Sequence, residues 1–123
     1  MHVQLADHAV RIGAAAPRES YLNIEKVLAA ALERCAEAIH PGYGFLSENA
    51  AFAEACEAAG IRFIGPTPDN IRTFGLKHTA RAIAEREGVP LLPGTGILSG
   101  SAEALSEASR LGYPVMLKSV AGG

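Results

Sequence analysis

Two lysines and a glycine run in the last third of the chain have the residue types that a polyphosphate site needs. Lys77 opens a predicted helix, Lys118 closes a short apolar run, and Gly122 and Gly123 follow. Fixed ammonium groups neutralise phosphate charge. Glycines let backbone N–H groups approach phosphate oxygens, because no Cβ intervenes. This pattern indicates a site for a polyphosphate such as ATP.

The element that would present Lys118 is a predicted strand over residues 114–118, with Gly112 before it. A lysine at the end of such a strand lies at the carboxyl edge of the sheet, where open α/β sheets bind ligands. The chain has neither a G-x-x-x-x-G-K-[ST] nor a G-x-G-x-x-G motif. A strand that ends in a solvated lysine, followed by a flexible tail, is therefore an alternative that spacing alone leaves open.

Composition predicts one ordinary domain with a real core, since 49% of the 123 residues are hydrophobic. With 11 basic and 13 acidic residues, the chain has no charge excess typical of nucleic-acid or anionic-membrane partners. No signal peptide or long apolar run is present in the sequence, which predicts a cytoplasmic protein. Cys35 and Cys56 each lie in a helical pattern, so we expect buried thiols in a reducing compartment.

The first half of the chain alternates helical and extended patterns. We expect Ser20 to cap a helix whose apolar face runs from Ile24 to Cys35, and Ser47 to cap a helix that Gly60 ends. The remaining predicted elements are a short helical piece at residues 1–7 and strands at residues 9–12, 36–39 and 61–64. A helix–strand–helix–strand order with short loops predicts an α/β fold with a parallel sheet.

The second half begins at the break formed by residues 65–68. Predicted helices cover residues 68–74 and 77–87, with Gly75 between them and Gly88 as the stop. A strand over residues 89–94 follows, and its prolines favour a sheet edge. Ser101 is then predicted to cap a helix that ends at Leu111, before Gly112.

Several other residues could in principle do chemistry, and for each a structural role is the better interpretation. No cysteine, serine or carboxylate lies beside His40 in the sequence as a catalytic partner, so we expect this histidine to hold its glycine-bounded turn. Glu48 is explained by the helix dipole. Tyr43 and Phe45 are interpreted as packing residues, and Arg81 is expected on a solvated helix face.

A resemblance narrows these interpretations. The segment His40–Ala50, His-Pro-Gly-Tyr-Gly-Phe-Leu-Ser-Glu-Asn-Ala, closely resembles the signature loop and helix of biotin-dependent carboxylases. Residues 63–66, 88–94 and 112–118 resemble further segments of the biotin carboxylase component, in the same order. Leu76 and residues 78–81 depart from the usual Gly-Asp-Lys context and look like the urea carboxylase (urea amidolyase) branch.

The resemblance implies a fold and a set of site residues. Residues 1–65 would form part of an N-terminal Rossmann-like α/β domain, residues 66–90 a helical link, and residues 91–123 the start of an ATP-grasp lid. Lys77 and Lys118 would contact the nucleotide, and Gly122 and Gly123 would begin the glycine-rich phosphate loop.

The resemblance also implies a reaction. In the family, ATP phosphorylates bicarbonate to carboxyphosphate, whose CO₂ is attacked by the ureido nitrogen of biotin on a carrier domain. The Mg²⁺ ligands and the catalytic residues of the family would lie after the glycine loop, so no catalytic or metal-ligating residue is assigned within residues 1–123. Met1 would fall where the family already has its second helix.

We therefore expect an incomplete piece of a biotin carboxylase, inactive and marginally stable by itself, whose parent could be a homo-oligomer. Two alternatives stay open: a non-catalytic nucleotide-binding module, and a module that docks on other carboxylase segments.

Overall fold

The structure is a computed structural model that describes residues 2–119. The chain divides into two compact units, Met1–Ile71 and Arg72–Gly123, each of which is described by itself. No helix within residues 2–119 combines the length and the apolar character that a membrane span requires.

The first unit contains a β–α–β arrangement. Strands β1 (Ala38–Ile39) and β2 (Arg62–Phe63) pair in parallel, with Ala38 opposite Arg62 and Ile39 opposite Phe63. Parallel strands need a crossover, and here helix α3 (Ala50–Ala58) supplies it. The first unit also holds helix α1 (His2–Leu5), a 3₁₀ turn (Pro17–Glu19) and helix α2 (Ile24–Glu33). The α/β class and the parallel pairing predicted from the sequence are confirmed.

The core of the first unit lies between its two longer helices and the strand pair. Its buried side chains are Leu46, Phe52, Cys56 and Ile61. The Phe52 ring meets Phe63 of β2 edge to face, with centroids 5.9 Å apart, an arrangement that aromatic pairs favour. Helix α2 packs its predicted apolar face against this core through Ile24, Val27, Leu28 and Ala31.

The prediction that this apolar face extends to Cys35 is wrong. Helix α2 ends at Glu33, and Cys35 lies beyond it at φ 52°, exposed to solvent. Leu32 is also 54% exposed. Of the two thiols expected to be buried, the one in α3, Cys56, is buried.

Helices α2 and α3 begin later than predicted, because asparagines rather than serines cap them. The side chain of Asn23 accepts a hydrogen bond from the Lys26 N–H at 3.0 Å, and that of Asn49 accepts one from the Phe52 N–H at 2.9 Å. Ser20 is buried and donates its hydroxyl to the Ala16 carbonyl. The backbone of Ser47 closes a turn on Gly44, so the serines belong to the loops that lead into the helices.

Helix α4 (Pro68–Gly75) runs across the boundary between the units, and the second unit contains helices α5 (Lys77–Arg86) and α6 (Ser101–Leu111). The predicted glycine stops are confirmed, since Gly60, Gly88 and Gly112 follow α3, α5 and α6 with φ of 71°, 68° and 87°. Ser101 is the first helical residue of α6 and not its cap. Gly100 takes the cap position, and Glu103 accepts the Ser99 N–H.

Three predicted strands are absent from the part of the chain that the structure describes, at residues 9–12, 89–94 and 114–118. A strand is defined by its pairing, and the described sheet consists of β1 and β2. Pro90, Pro93 and Pro114 also lack the N–H that a ladder needs. The apolar run before Lys118 is instead exposed, with Met116 at 79% and Leu117 at 80%.

Candidate functional site

Lys77 is the first residue of α5 and is exposed. Its predecessor Leu76 occupies the cap position in extended conformation and offers no side-chain cap. A lysine is disfavoured at this end of a helix, where the dipole is positive. The same position suits a phosphate, because backbone N–H groups and a cation then face the anion together.

Lys118 is exposed and lies after α6 in a segment without regular secondary structure. The structure therefore places Lys77 and Lys118 in the same unit, at the start of one helix and beyond the end of another. Gly122 and Gly123, the predicted start of a phosphate loop, lie outside the described residues. The assignment of these four residues to a nucleotide stays a prediction.

The loop after β1 is held by His40. Its Nδ1 accepts the Gly42 N–H at 3.1 Å, which confirms the structural interpretation of this histidine. Gly42 and Gly44 have φ of 71° and 76°, values that glycine adopts without a steric cost. Phe45 also has positive φ, at 49°. The loop thus has a defined shape at the carboxyl end of a parallel strand.

Of the two aromatic residues of this loop, Tyr43 does not have the packing role expected for it, whereas Phe45 packs against another ring. Tyr43 is 98% exposed and Phe45 is 59% exposed. Phe45 contacts the ring of Tyr21 at a centroid distance of 5.1 Å. Tyr43 lies between two glycines, which have no side chains that could cover its ring. This feature of the sequence could have predicted its exposure.

Arg81 also differs from the role predicted for it. It does not extend from a solvated helix face. Its Nη2 donates to the Leu92 carbonyl at 3.0 Å, and its Nε lies 3.4 Å from a carboxylate oxygen of Glu85. Its side chain is 28% exposed. The guanidinium packs against Gly94, where a Cβ would lie 2.9 Å from Nη1.

The perturbed pKa values have structural causes. Hydrogen bonds from Ser99 lower the pKa of Glu103, and the hydrogen bond from Arg110 lowers that of Glu107 while it raises the pKa of Arg110. Burial, with a smaller contribution from Glu57, raises the pKa of the Cys56 thiol. The carboxylates cap or brace α6, and the thiol belongs to the core.

Within residues 2–119, no three side chains from His, Cys, Asp and Glu come together as a metal site. Carboxylates are the ligands that Mg²⁺ uses beside a phosphate. The expectation that the Mg²⁺ ligands lie outside residues 1–123 stays a prediction.

Comparison with known proteins decides the family. Residues 1–71 match the family described as "Biotin carboxylase, N-terminal domain". The chain belongs to this family. The family assignment agrees with the resemblance of His40–Ala50 and with the parallel β–α–β arrangement that carries it.

Biotin carboxylases and urea amidolyases are both among the relatives. A biotin carboxylase of Nostoc sp. is 56% identical over 124 residues, which covers 100% of this chain and 28% of the relative. The urea amidolyase of Saccharomyces cerevisiae is 51% identical over 122 residues, 99% of this chain and 7% of the relative. This chain therefore spans little more than a quarter of the shorter of these two relatives.

Solved structures show the same fold. A Campylobacter jejuni biotin carboxylase β,γ-ATP complex superimposes with a TM-score of 0.89 at 46% identity, over 99% of this chain and 28% of that one. The biotin carboxylase domain dimer of the Hydrogenobacter thermophilus 2-oxoglutarate carboxylase, in complex with MgADP, ADP and bicarbonate, gives a TM-score of 0.86 at 50% identity. It covers 99% of this chain and 27% of that one.

Proposed function

We propose that this chain is part of an ATP-dependent biotin carboxylase, in which bicarbonate and ATP carboxylate carrier-bound biotin through carboxyphosphate. The observation that carries the proposal is the likeness to the Campylobacter jejuni biotin carboxylase ATP complex over 99% of the chain at 46% identity. Identity of this size across both units supports a common use of the segment. Because the chain spans 28% of that relative, the activity belongs to the whole protein.

In the proposed enzyme, residues 1–65 are the N-terminal α/β domain, residues 66–90 the helical link and residues 91–123 the start of the lid. Lys77 and Lys118 contact the nucleotide, and Gly122 and Gly123 begin the phosphate loop. Phosphoryl transfer depends mainly on positioning and charge stabilisation, so two fixed cations are an appropriate contribution from this segment. The exposed positions of both lysines support the proposal.

The experiment is a titration of MgATP against the polypeptide in the form in which its cell makes it. Lys118→Ala and Lys77→Ala should each weaken MgATP binding about tenfold or more, because each removes a charged hydrogen-bond donor to phosphate. Arg34→Ala is the matched control, since it removes one exposed positive charge from the first unit. Equal affinities in all four proteins would overturn the assignment.

By itself, the segment of residues 1–123 is proposed to be inactive. Within residues 2–119, no three His, Cys, Asp or Glu side chains group together, and the carboxylates with perturbed pKa values serve helix α6. Purified residues 1–123 should release no ADP in response to bicarbonate and free biotin. Bicarbonate-dependent turnover by this segment would contradict the proposal.

Urea is the proposed final carboxyl acceptor, on the basis of Leu76 and residues 78–81. The relatives include both branches at similar identity, 56% for a biotin carboxylase and 51% for a urea amidolyase. The assay is urea-dependent ATP turnover by the whole protein. Turnover that depends on biotin but not on urea would assign the chain to the general biotin carboxylase branch.

A second candidate function is docking on another carboxylase segment. It is favoured by the apolar run of Val115, Met116 and Leu117, which are 44%, 79% and 80% exposed. A strand supplied by a partner chain would pair with this run. Co-purification of a larger carboxylase polypeptide, lost in Leu117→Lys, would support docking, and a lone monomer in native mass spectrometry would exclude it.

A further inference from the structure

Arg81 joins α5 to the chain that follows it. Its guanidinium donates to the Leu92 carbonyl at 3.0 Å while Nε lies 3.4 Å from Glu85. One end of this contact is on a helix and the other lies in the segment that leads towards α6. We call the set of Arg81, Glu85, Leu92 and Gly94 the Arg81 clamp.

The clamp requires an arginine. A guanidinium is a rigid fork whose donors point in several fixed directions, so it can address a carboxylate and a carbonyl at once. Glu85 lies one turn after Arg81 on the same helix face and holds the fork in place. A lysine has one ammonium on a flexible stem and would serve only one of these partners well.

Gly94 leaves room for the guanidinium. A Cβ on Gly94 would lie 2.9 Å from Nη1 and 3.1 Å from Cζ of Arg81. The φ of Gly94 is outside the left-handed region, so a side chain here would meet the guanidinium without straining the backbone. An alanine at this position would have to displace the guanidinium.

The segment that Arg81 holds is stiff. Pro90 and Pro93 fix their own φ angles, and each restricts the residue before it to extended conformations. At the start of the segment, the Val89 N–H donates to the Ala84 carbonyl at 2.8 Å. Residues 89–94 are therefore hydrogen-bonded to α5 at Val89 and at Leu92. Because the segment is stiff, a displacement at one of these contacts would move the rest of the segment.

Arg81 lies one helical turn after Lys77, so the two cations share a face of α5. We propose that Arg81 is a positioning residue of the nucleotide site: its clamp fixes the orientation of residues 89–94 relative to the helix face that carries Lys77. The inference rests on the proposed nucleotide contact of Lys77. Arg81 itself does not need to touch the nucleotide.

The experiment compares Arg81→Leu, Arg81→Lys and Gly94→Ala in the polypeptide as its cell makes it. Arg86→Leu is the matched control, because Arg86 is 72% exposed and its Nε lies 2.9 Å from a carboxylate oxygen of its neighbour Glu87. The first measurement is amide hydrogen exchange of Val89, whose N–H donates to the Ala84 carbonyl at the start of the segment. The second is the dissociation constant of MgATP.

We expect faster exchange of the Val89 amide and about tenfold weaker MgATP binding in Arg81→Leu. Gly94→Ala should have a smaller effect of the same kind, because the flexible guanidinium can shift, and Arg86→Leu should be unchanged. Arg81→Lys should recover only part of either loss. The double variant Arg81→Leu/Gly94→Ala should bind MgATP no more weakly than Arg81→Leu alone, because both changes disrupt the same contacts. A purely structural role would change the exchange of Val89 and leave the affinity for MgATP unchanged.

The outcomes separate the two levels of the inference. Unchanged exchange in Arg81→Leu would overturn the clamp. Faster exchange with unchanged MgATP affinity would overturn the positioning role and leave the proposed function intact. A wild-type protein that binds no MgATP would overturn the proposed function, and the positioning role with it, while the exchange data still decide the clamp.

Discussion

The imidazole Nδ1 of His40 accepts the backbone N–H of Gly42 at 3.1 Å. A nitrogen that accepts must be unprotonated, so the ring carries its hydrogen on Nε2. The contact closes the first turn after β1 and leads the chain into Leu46, which is buried in the core. The histidine thereby links the end of the strand to the packing of the first unit.

Replacement of His40 tests this link. His40→Ala should lower the free energy of unfolding by about 1 kcal/mol, the usual net contribution of one hydrogen bond. His40→Asn should retain most of the stability, because its side-chain oxygen can accept the Gly42 N–H. Urea denaturation followed by circular dichroism measures both. Equal losses in the two variants would show that ring packing, and not the hydrogen bond, matters.

Asn49 makes a separable contribution at the start of α3. Asn49→Ala should cost about 1 kcal/mol because the Phe52 N–H loses its acceptor at 2.9 Å. Asn49→Asp should cost little, since aspartate caps as well and its charge complements the helix dipole. The midpoint of urea unfolding is the measurement, and an aspartate variant as unstable as the alanine variant would contradict the capping role.

Phe52 is a buried residue of the core of the first unit. It is 1% exposed and meets Phe63 edge to face, so Phe52→Ala should cost about 3–5 kcal/mol. A loss of that size is a large part of the stability of a small domain. Phe74→Ala is the control, because Phe74 is 56% exposed. Thermal unfolding should show a loss of cooperativity for the first variant and little change for the second.

We expect the hydrogen bonds between Ser99 and Glu103 at the start of helix α6 to be lost at low pH. Hydrogen bonds from the Ser99 hydroxyl and N–H lower the pKa of Glu103 in the folded chain. The stabilisation is therefore complete above the unfolded pKa of glutamate, about 4.3, and is lost as the pH falls through the lower folded value. Exchange of the Ser99 amide should accelerate in that window relative to its intrinsic rate, and Glu103→Gln should remove the step.

The elements of the first unit could be predicted from the sequence where local signals agreed with tertiary packing. The apolar face from Ile24 to Ala31 and the stop at Gly60 depend on periodicity and backbone freedom, which are local properties. The caps were misassigned because serine and asparagine cap about equally well. The choice of Asn23 over Ser20 depends on the buried turn that Ser20 makes with Ala16.

The second unit was harder to predict, and the reason is pairing. Residues 114–118 have the apolar composition of a strand, but a strand requires a neighbour that composition does not supply. Arg81 was misassigned for a related reason. Its partner carbonyl on Leu92 is eleven residues away in sequence, and every backbone carbonyl looks alike in a sequence. The sequence feature related to this contact is Gly94, which has no side chain and leaves room for the guanidinium.

The opposite surroundings of the two cysteines give the chain a built-in chemical reporter. Cys35 is exposed at the end of α2, whereas Cys56 is buried and its raised pKa disfavours the reactive thiolate. An alkylating reagent should label Cys35 at once and Cys56 only when the core opens. The ratio of doubly to singly labelled protein over time would then record how often the first unit opens, without any added probe.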